Sequence, residues 1–331
     1  MRLCRYERDG NPRIGVYEGD RVGDLALLGR ELGVDLPGLS DDLLDCLPPD
    51  GPLVEAVHRI GERLTERRPR CESLFSPLES VKLLVPLPRP NKVLLLAGNY
   101  AEHVREGGGR AAERHQTFPY FFSKPPSTTL NDPGAPVCLP ASSPDHIDWE
   151  IELGVILGRR CRQVSEAEAL DHVAGYTVCN DISDRKFQIN PNRTQRERDR
   201  FFDWLHGKWH DTFLPLGPCV RLAEKNLDPQ NWKLRLTLNG QVMQEGSTSQ
   251  MVFPVAALIS ILSTFVTLEP GDILSTGTPA GVGFARKPPV FLRSGDLLEA
   301  SIEGIGVLTS PVLDETTYRA MAPQRGAGRK V

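Results

Sequence analysis

Two acidic side chains, two residues apart in an otherwise apolar run, are the first feature of this chain that could do chemistry. The run IDWEIELGVILGRRC, residues 147–161, alternates from Trp149 and then becomes apolar, as a buried strand does. Successive strand side chains point to opposite faces, so Glu150 and Glu152 share a face with Cα atoms roughly 6.5–7 Å apart. Two like charges beside an apolar core are costly unless something compensates them. A proton, two arginines or a divalent cation would do so, and oxygen-only ligands favour Mg2+, Mn2+ or Ca2+ over zinc. The plain alternative is an exposed strand face on which both carboxylates pair with lysine or arginine. A second apolar run, AGYTVCNDISDR, ends in Asp181, and an acid at the end of a buried strand could supply a third ligand. Asn-Asp is equally an ordinary turn pair.

His103 and Glu106, in NYAEHVREGGGR, are three apart. On a helical turn they share a face, so the carboxylate can orient the imidazole as a general base. A solvated His–Glu pair on a surface turn is the bland reading. Gly107-Gly108-Gly109 lacks the Lys-Ser/Thr of a phosphate-binding loop and reads as a mobile connection. Lys208, in HGKWHDTFLPLGP, could hold a substrate carboxylate or enolate oxygen if an acidic centre lies near; otherwise it is a surface lysine. His206 and His210 are four apart, but the proline and glycines around them argue against the long helix that a zinc pair would use.

The elements that must position these groups are short strands. The chain has 331 residues, of which 28 are Pro and 30 are Gly, spread along its length. That is about one residue in six, against an ordinary share of about 12%, and it predicts a β-rich body with many tight turns. RLCRYE, RIGVYE and RVGDL, split by Asp9-Gly10 and Gly19-Asp20, read as hairpins. Leu43, Leu44, Leu47, Val54, Val57, Ile60 and Leu64 follow at helical spacing. The PLPRPN stretch, Pro86–Asn91, can be neither helix nor central strand. It divides a small N-terminal region, residues 1–88, from a body over 89–314, followed by a tail over 315–331. The formal net charge of −4 gives no reason to expect a nucleic-acid partner. No apolar run is long enough to span a bilayer. The seven cysteines are irregularly spaced without a Cys-x-x-Cys, so reduced thiols and a cytoplasmic setting are expected.

Taken in order, NYAEHVREG, YFFSKPPSTTLNDPGAPVCLP, DWEIELGVILGRRC, AGYTVCNDISDRKFQ, GKWHDTFLPLGP and PGDILSTGTPAGVG resemble the fumarylacetoacetate hydrolase family from about Lys92 to Val312. The resemblance implies a mainly β, α+β fold. Its catalytic domain would be a coiled mixed β-barrel, joined to a small α+β N-terminal domain and assembled as a homodimer. It implies a divalent ion, Mg2+ or Mn2+ with Ca2+ also admissible, held by Glu150, Glu152 and Asp181. It makes His103 and Glu106 a dyad that activates water or moves a proton, and places Lys208 beside the metal. Tyr100, Lys124, Arg185, Gln188 and Thr278 match positions assigned to the substrate. The eponymous hydrolase has an aspartate ligand before its histidine, whereas LAGNYAEH has none. That pattern is the one of the acylpyruvase, oxaloacetate decarboxylase and hydroxymuconate isomerase branches. Residues 189–205 are longer and more charged than in the shortest relatives, either as a lid that orders on substrate binding or as a solvated charged helix.

The implied chemistry is that of enolates: a 2-oxo or 1,3-dicarbonyl acid chelates the ion, and the ion and Lys208 stabilise the charge that develops. The expected activity is hydrolysis of a C–C bond in an acylpyruvate-like acid through a metal-bound enolate. Isomerisation or tautomerisation, and decarboxylation of a 2-oxo dicarboxylic acid, share that intermediate and are the alternatives. A non-catalytic metal-binding or ligand-binding homologue would not need His103, Glu106 and Lys208 together with three acids. A glycosidase pair is disfavoured because neighbours on one strand cannot flank a sugar ring.

Overall fold

The computed structural model describes residues 1–111, 113–187 and 189–321. Gln188, expected at the substrate, and residues 322–331 of the tail lie outside them, while Glu315–Met321 is a helix. The N-terminal strands Arg2–Arg8, Asn11–Glu18 and Arg21–Asp24 form the expected antiparallel meander. Its first turn, Asp9-Gly10, has φ of 52° and 74°, the paired left-handed conformation that two-residue hairpins favour. The helix Leu25–Leu32 follows, its first turn capped by the Asp24 carboxylate, which accepts from Leu27 N. The helix Val54–Cys71 buries Val54, Val57, Ile60 and Leu64, the residues that its spacing singled out.

The meander is continuous with the sheet of the body. Arg2–Arg8 pairs antiparallel with Leu214–Leu222, which pairs with Val173–Asn180, and that strand pairs with Ile151–Leu157. The path continues through Ile273–Ser275 and, in parallel, Val93–Ala97, and ends at Tyr120–Ser123. A separate five-stranded sheet runs in the order Gln241–Ser247, Lys233–Leu238, Leu297–Ile302, Gly306–Asp314, Val137–Leu139. The mainly β, α+β class therefore holds, but the expected barrel does not close. Among the described residues the 12-stranded sheet has two separate edges, Phe75–Pro77 and Tyr120–Ser123, and both edge strands are short and remain unpaired on their outer sides.

Every residue of Ile151–Leu157 is buried, because both faces of that strand are covered. Ile151, Leu153 and Val155 share a core with Trp232, Leu234 and Leu236 beside the five-stranded sheet. Ile156 and Cys179 share the other core with Leu25, Leu28, Val57 and Ile60 of the N-terminal helices. The strand that carries the paired glutamates is thus clamped between two apolar layers. All seven cysteines are free. No helix among the described residues is long and apolar enough to cross a membrane.

Candidate active site

The ladder between Ile151–Leu157 and Val173–Asn180 sets Ile151 opposite Asn180 and Glu152 opposite Cys179. One further bond, Asp181 N to Glu150 O at 2.8 Å, extends the pairing just past the end of both strands. That bond brings the third acid to the first two. Oxygens from Glu150, Glu152 and Asp181 lie within 4.8 Å of one another, and the three residues are only 5%, 1% and 1% exposed. Glu150 is fixed in turn by donating its backbone N–H to Asn180 Oδ1 at 3.0 Å.

Two buried lysines and a half-buried arginine answer these acids unevenly. Lys208 Nζ donates to Glu150 Oε2 at 2.8 Å and to Asp181 Oδ2 at 2.5 Å. The rings of Phe122 and Trp204 stand 5.3 and 5.9 Å from the same ammonium. Lys124 Nζ lies 2.5 Å from Asp181 Oδ1, as an ion pair without hydrogen-bond geometry, and donates to the Ile182 and Phe213 carbonyls. Arg185 reaches Glu150 Oε1 at 2.7 Å and, through Nε, Asp148 Oδ2 at 2.8 Å. Glu152 has no such partner. Its Oε2 accepts from Ser275 Oγ at 2.6 Å and Gly277 N at 2.9 Å.

The two glutamates titrate in opposite directions for this reason. Burial favours a neutral Glu150, but Lys208 and Arg185 overcome it and hold the carboxyl well below its ordinary value. Burial raises Glu152 too, and Asp181 and Glu150 add to the effect, so its carboxyl is pushed up to about 8. Burial also lowers Lys124 to about 8, although Asp181 works against it.

The dyad brings His103 to the same cavity as the acids. In the helix Ala101–Glu106, His103 Nδ1 and Glu106 Oε1 are 2.9 Å apart, and Glu106 Oε2 accepts from Gly281 N at 2.8 Å. A carboxylate on Nδ1 fixes the proton there and leaves Nε2 as the basic nitrogen. Buried Asn99 ties the start of this helix to the sheet by donating to the Thr276 and Phe253 carbonyls and accepting from Phe253 N. Thr278 Oγ1 accepts from Gln244 Nε2 at 2.8 Å, while Gln244 Oε1 accepts from Ile151 N. One glutamine therefore joins the Thr278 loop to the glutamate strand.

A cavity of about 1170 Å³ gathers His103, Glu150, Glu152, Asp181, Arg185, Lys208 and Thr278. Tyr100 and Lys124, expected at the substrate, are placed otherwise: both are buried, at 2% and 1%, and neither lines the cavity. His206 and His210 do not join the acids; His210 Nε2 lies 3.5 Å from Asp184 Oδ2. Residues that sequence reasoning passed over prove structural to the site. Asp148 is fully buried and accepts from Trp149 N, Gly283 N, Phe284 N and Arg185 Nε. It stands two residues before Glu150, so its signal was a third acid in the same alternation. Ser275 and Gln244 carried no signal, since their partners are far away in sequence.

The donor set fits a divalent cation. Counting Asp148, four carboxylates meet three cations, and Glu152 is the one left without a cationic partner. The three clustered donors are all carboxylate oxygens, the ligand type of Mg2+, Mn2+ and Ca2+.

The chain is similar to known proteins over most of its length. The fumarylacetoacetate (FAA) hydrolase C-terminal family matches residues 92–313. The chain is 37% identical over 315 residues to mitochondrial oxaloacetate tautomerase FAHD2A of Bos taurus, covering 95% of this chain and 92% of that protein. It is 37% identical over 309 residues to 2,4-didehydro-3-deoxy-L-rhamnonate hydrolase of Sphingomonas sp. (strain SKA58), covering 92% and 94%. The solved structure of maleylpyruvate hydrolase from Sphingobium sp. SYK-6, with manganese(II) and pyruvate, superposes with a TM-score of 0.67 at 29% identity, covering 95% of this chain and 99% of that one. Matched by this family over residues 92–313 and by named enzymes over more than nine-tenths of its length, the chain belongs to the fumarylacetoacetate hydrolase family and is an enzyme.

Proposed function

We propose that the protein is a divalent-metal-dependent hydrolase that cleaves a C–C bond of an acylpyruvate-like 2-oxo acid. The observation that carries this reading is the relay Gly281–Glu106–His103, which leaves a basic nitrogen at a cavity walled by acids. Glu150, Glu152 and Asp181 would hold the ion, which when bound would act as a Lewis acid on the 2-oxo acid oxygens. An ammonium has three protons. Lys208 gives two to Glu150 and Asp181, so one is left for a substrate oxygen on which charge develops. His103 Nε2 takes a proton from water, and the hydroxide adds to the distal ketone carbon. The bond to carbon 3 then breaks, and its electron pair becomes the enolate of pyruvate. His103 returns its proton to carbon 3, and the new carboxylic acid loses its own to solvent. The products are a carboxylate and pyruvate. Thr278, held by Gln244, and Arg185, held by Asp148, stand where they can orient the substrate.

The tautomerase relative favours a second reading, in which His103 only moves a proton between carbon 3 and the 2-oxygen and no water reacts. An assay of purified protein with Mg2+ or Mn2+ on acylpyruvates and oxaloacetate separates the two. Stoichiometric pyruvate and a second acid are expected from the acylpyruvate. Keto–enol exchange without cleavage would replace the hydrolase reading with the tautomerase one, and neither signal would remove both.

A further inference from the structure

A second cavity lies where the N-terminal meander joins the body. It measures about 790 Å³ and shares no lining residue with the catalytic one. Ligand sites commonly measure about 300–1,000 Å³ and favour such joins. Its walls come from Arg2 and Tyr17 of the meander, Leu64 and Arg68 of the helix Val54–Cys71, Arg221 of the strand Leu214–Leu222, and the turn at Gly304. We propose that this cavity is a second ligand site, for a small organic oxyanion (a carboxylate or a phosphate monoester), gripped by Arg2 and Arg221.

The sheet ladder sets Arg2 directly opposite Arg221. Residues so opposed share a face, with Cβ atoms about 4.5–5.5 Å apart, and like charges there repel. Both guanidiniums reach the same turn of the body. Arg2 Nη1 donates to Ile305 O at 3.0 Å, and Arg221 Nη1 donates to Gly304 O at 3.3 Å. Each also lies on a ring, Arg2 at 5.2 Å from Tyr17 and Arg221 at 5.5 Å from Trp232. Room for this is built in, since a Cβ at Gly304 would collide with Arg221 Nη1. A guanidinium has five N–H donors, and the carbonyls take one from each. Among the described residues no carboxylate pairs with either arginine. Glu18, the acid that lines the cavity, is 2.7 Å from Arg68. Glu72 also pairs with Arg68, and Glu224 meets the Met1 nitrogen. Glu62, Glu66 and Glu303 are exposed and do not line the cavity. Three arginines thus face one carboxylate, which is already engaged. Two adjacent forks with free donors match the oxygens of a carboxylate or phosphate. Val16, Tyr17 and Leu64 beside them are buried and suit a short carbon chain.

Calorimetric titration of the metal-loaded protein with inorganic phosphate, ethyl phosphate and butyrate tests the site, on wild type and on Arg2→Gln/Arg221→Gln. The wild type should bind at least one of the three, and the ethyl phosphate and butyrate arms separate a phosphate ester from a carboxylic acid. The double variant loses both charge-assisted forks, so its dissociation constant should rise about tenfold or more. Neither arginine lines the catalytic cavity, so turnover should be unchanged. No binding by the wild type would overturn the proposal. Equal affinity in the double variant would overturn it too, and would assign the anion to the cations of the catalytic cavity. Melting temperatures check that the double variant folds. Should it melt far below wild type, Arg221→Lys takes its place, because it keeps the charge and loses the fork. Affinity several-fold weaker in that variant supports the site, and unchanged affinity rejects it.

Discussion

Glu150 and Glu152 are the same residue type on one stretch of chain, yet their surroundings send them in opposite directions. Lys208 and Arg185 hold Glu150 ionised, whereas burial and two neighbouring carboxylates keep Glu152 protonated without an ion. These acids and the His103–Glu106 dyad were legible in the sequence because each depends on local spacing: two along a strand, three along a helical turn. Ser275 and Gln244 were not, because each acts on a partner reached only through the fold, and Asp148 was marked only as a third acid in the same alternation. Ser275 meets Glu152 across 123 positions and Gln244 meets Ile151 across 93. The division of labour gives a direct prediction. His103→Ala should lower kcat by about 10²–10⁴ while metal content stays at the wild-type level, since His103 is not among the clustered acids. Turnover near wild type would remove the dyad from the mechanism. Loss of bound metal would place His103 in the metal site instead.

The decisive element is the loop that follows Ile273–Ser275, since it serves both halves of the site. Its Gly277 N–H goes to Glu152 and its Gly281 N–H goes to Glu106. Gly281 holds φ at +108°, and a Cβ there would stand 2.3 Å from the Met243 carbonyl. Only glycine meets both demands at little cost. Gly281→Ala should therefore move the amide away from Glu106 and loosen the imidazole. A displacement near 1 Å at such a group can cost about 10²-fold, so kcat is expected to fall at least about tenfold. Strain of this kind should also lower stability by about 1–3 kcal/mol. Steady-state kinetics and thermal melts check the two effects, and an unchanged kcat would show that Glu106 needs no anchor. The hairpins, the helix at Val54–Cys71 and the buried glutamate strand could be read from periodicity and turn residues. The open sheet could not. Closure depends on whether two edge strands meet, and Phe75–Pro77 and Tyr120–Ser123 are brought to their edges by pairings remote in sequence.

On the scale of the whole molecule, the N-terminal meander extends the sheet that carries the acids, and its helices cover that sheet's back. Binding at the acid cluster should therefore register in the melting of the entire chain. An ion at a hundredfold its dissociation constant adds about 2.7 kcal/mol, which for a protein of this size is about 4 °C. The gain must also depend on pH, with a sign set by Glu152. Burial, then Asp181 and Glu150, raise this carboxyl from 4.5 to about 8 in the folded protein. Between those values the folded chain keeps a proton that the unfolded chain has released. Its stabilising contribution is therefore complete below about 4.5 and is lost as pH rises toward about 8. An ion that takes the Glu152 oxygens must displace that proton, so its net stabilisation grows across the same window. Melts with and without Mg2+ or Mn2+ should show a larger gain at about pH 8 than at about pH 6. Glu152→Gln carries no such proton and should lose both the gain and its slope. A gain of equal size at both pH values in the wild type would mean that the ion binds without Glu152.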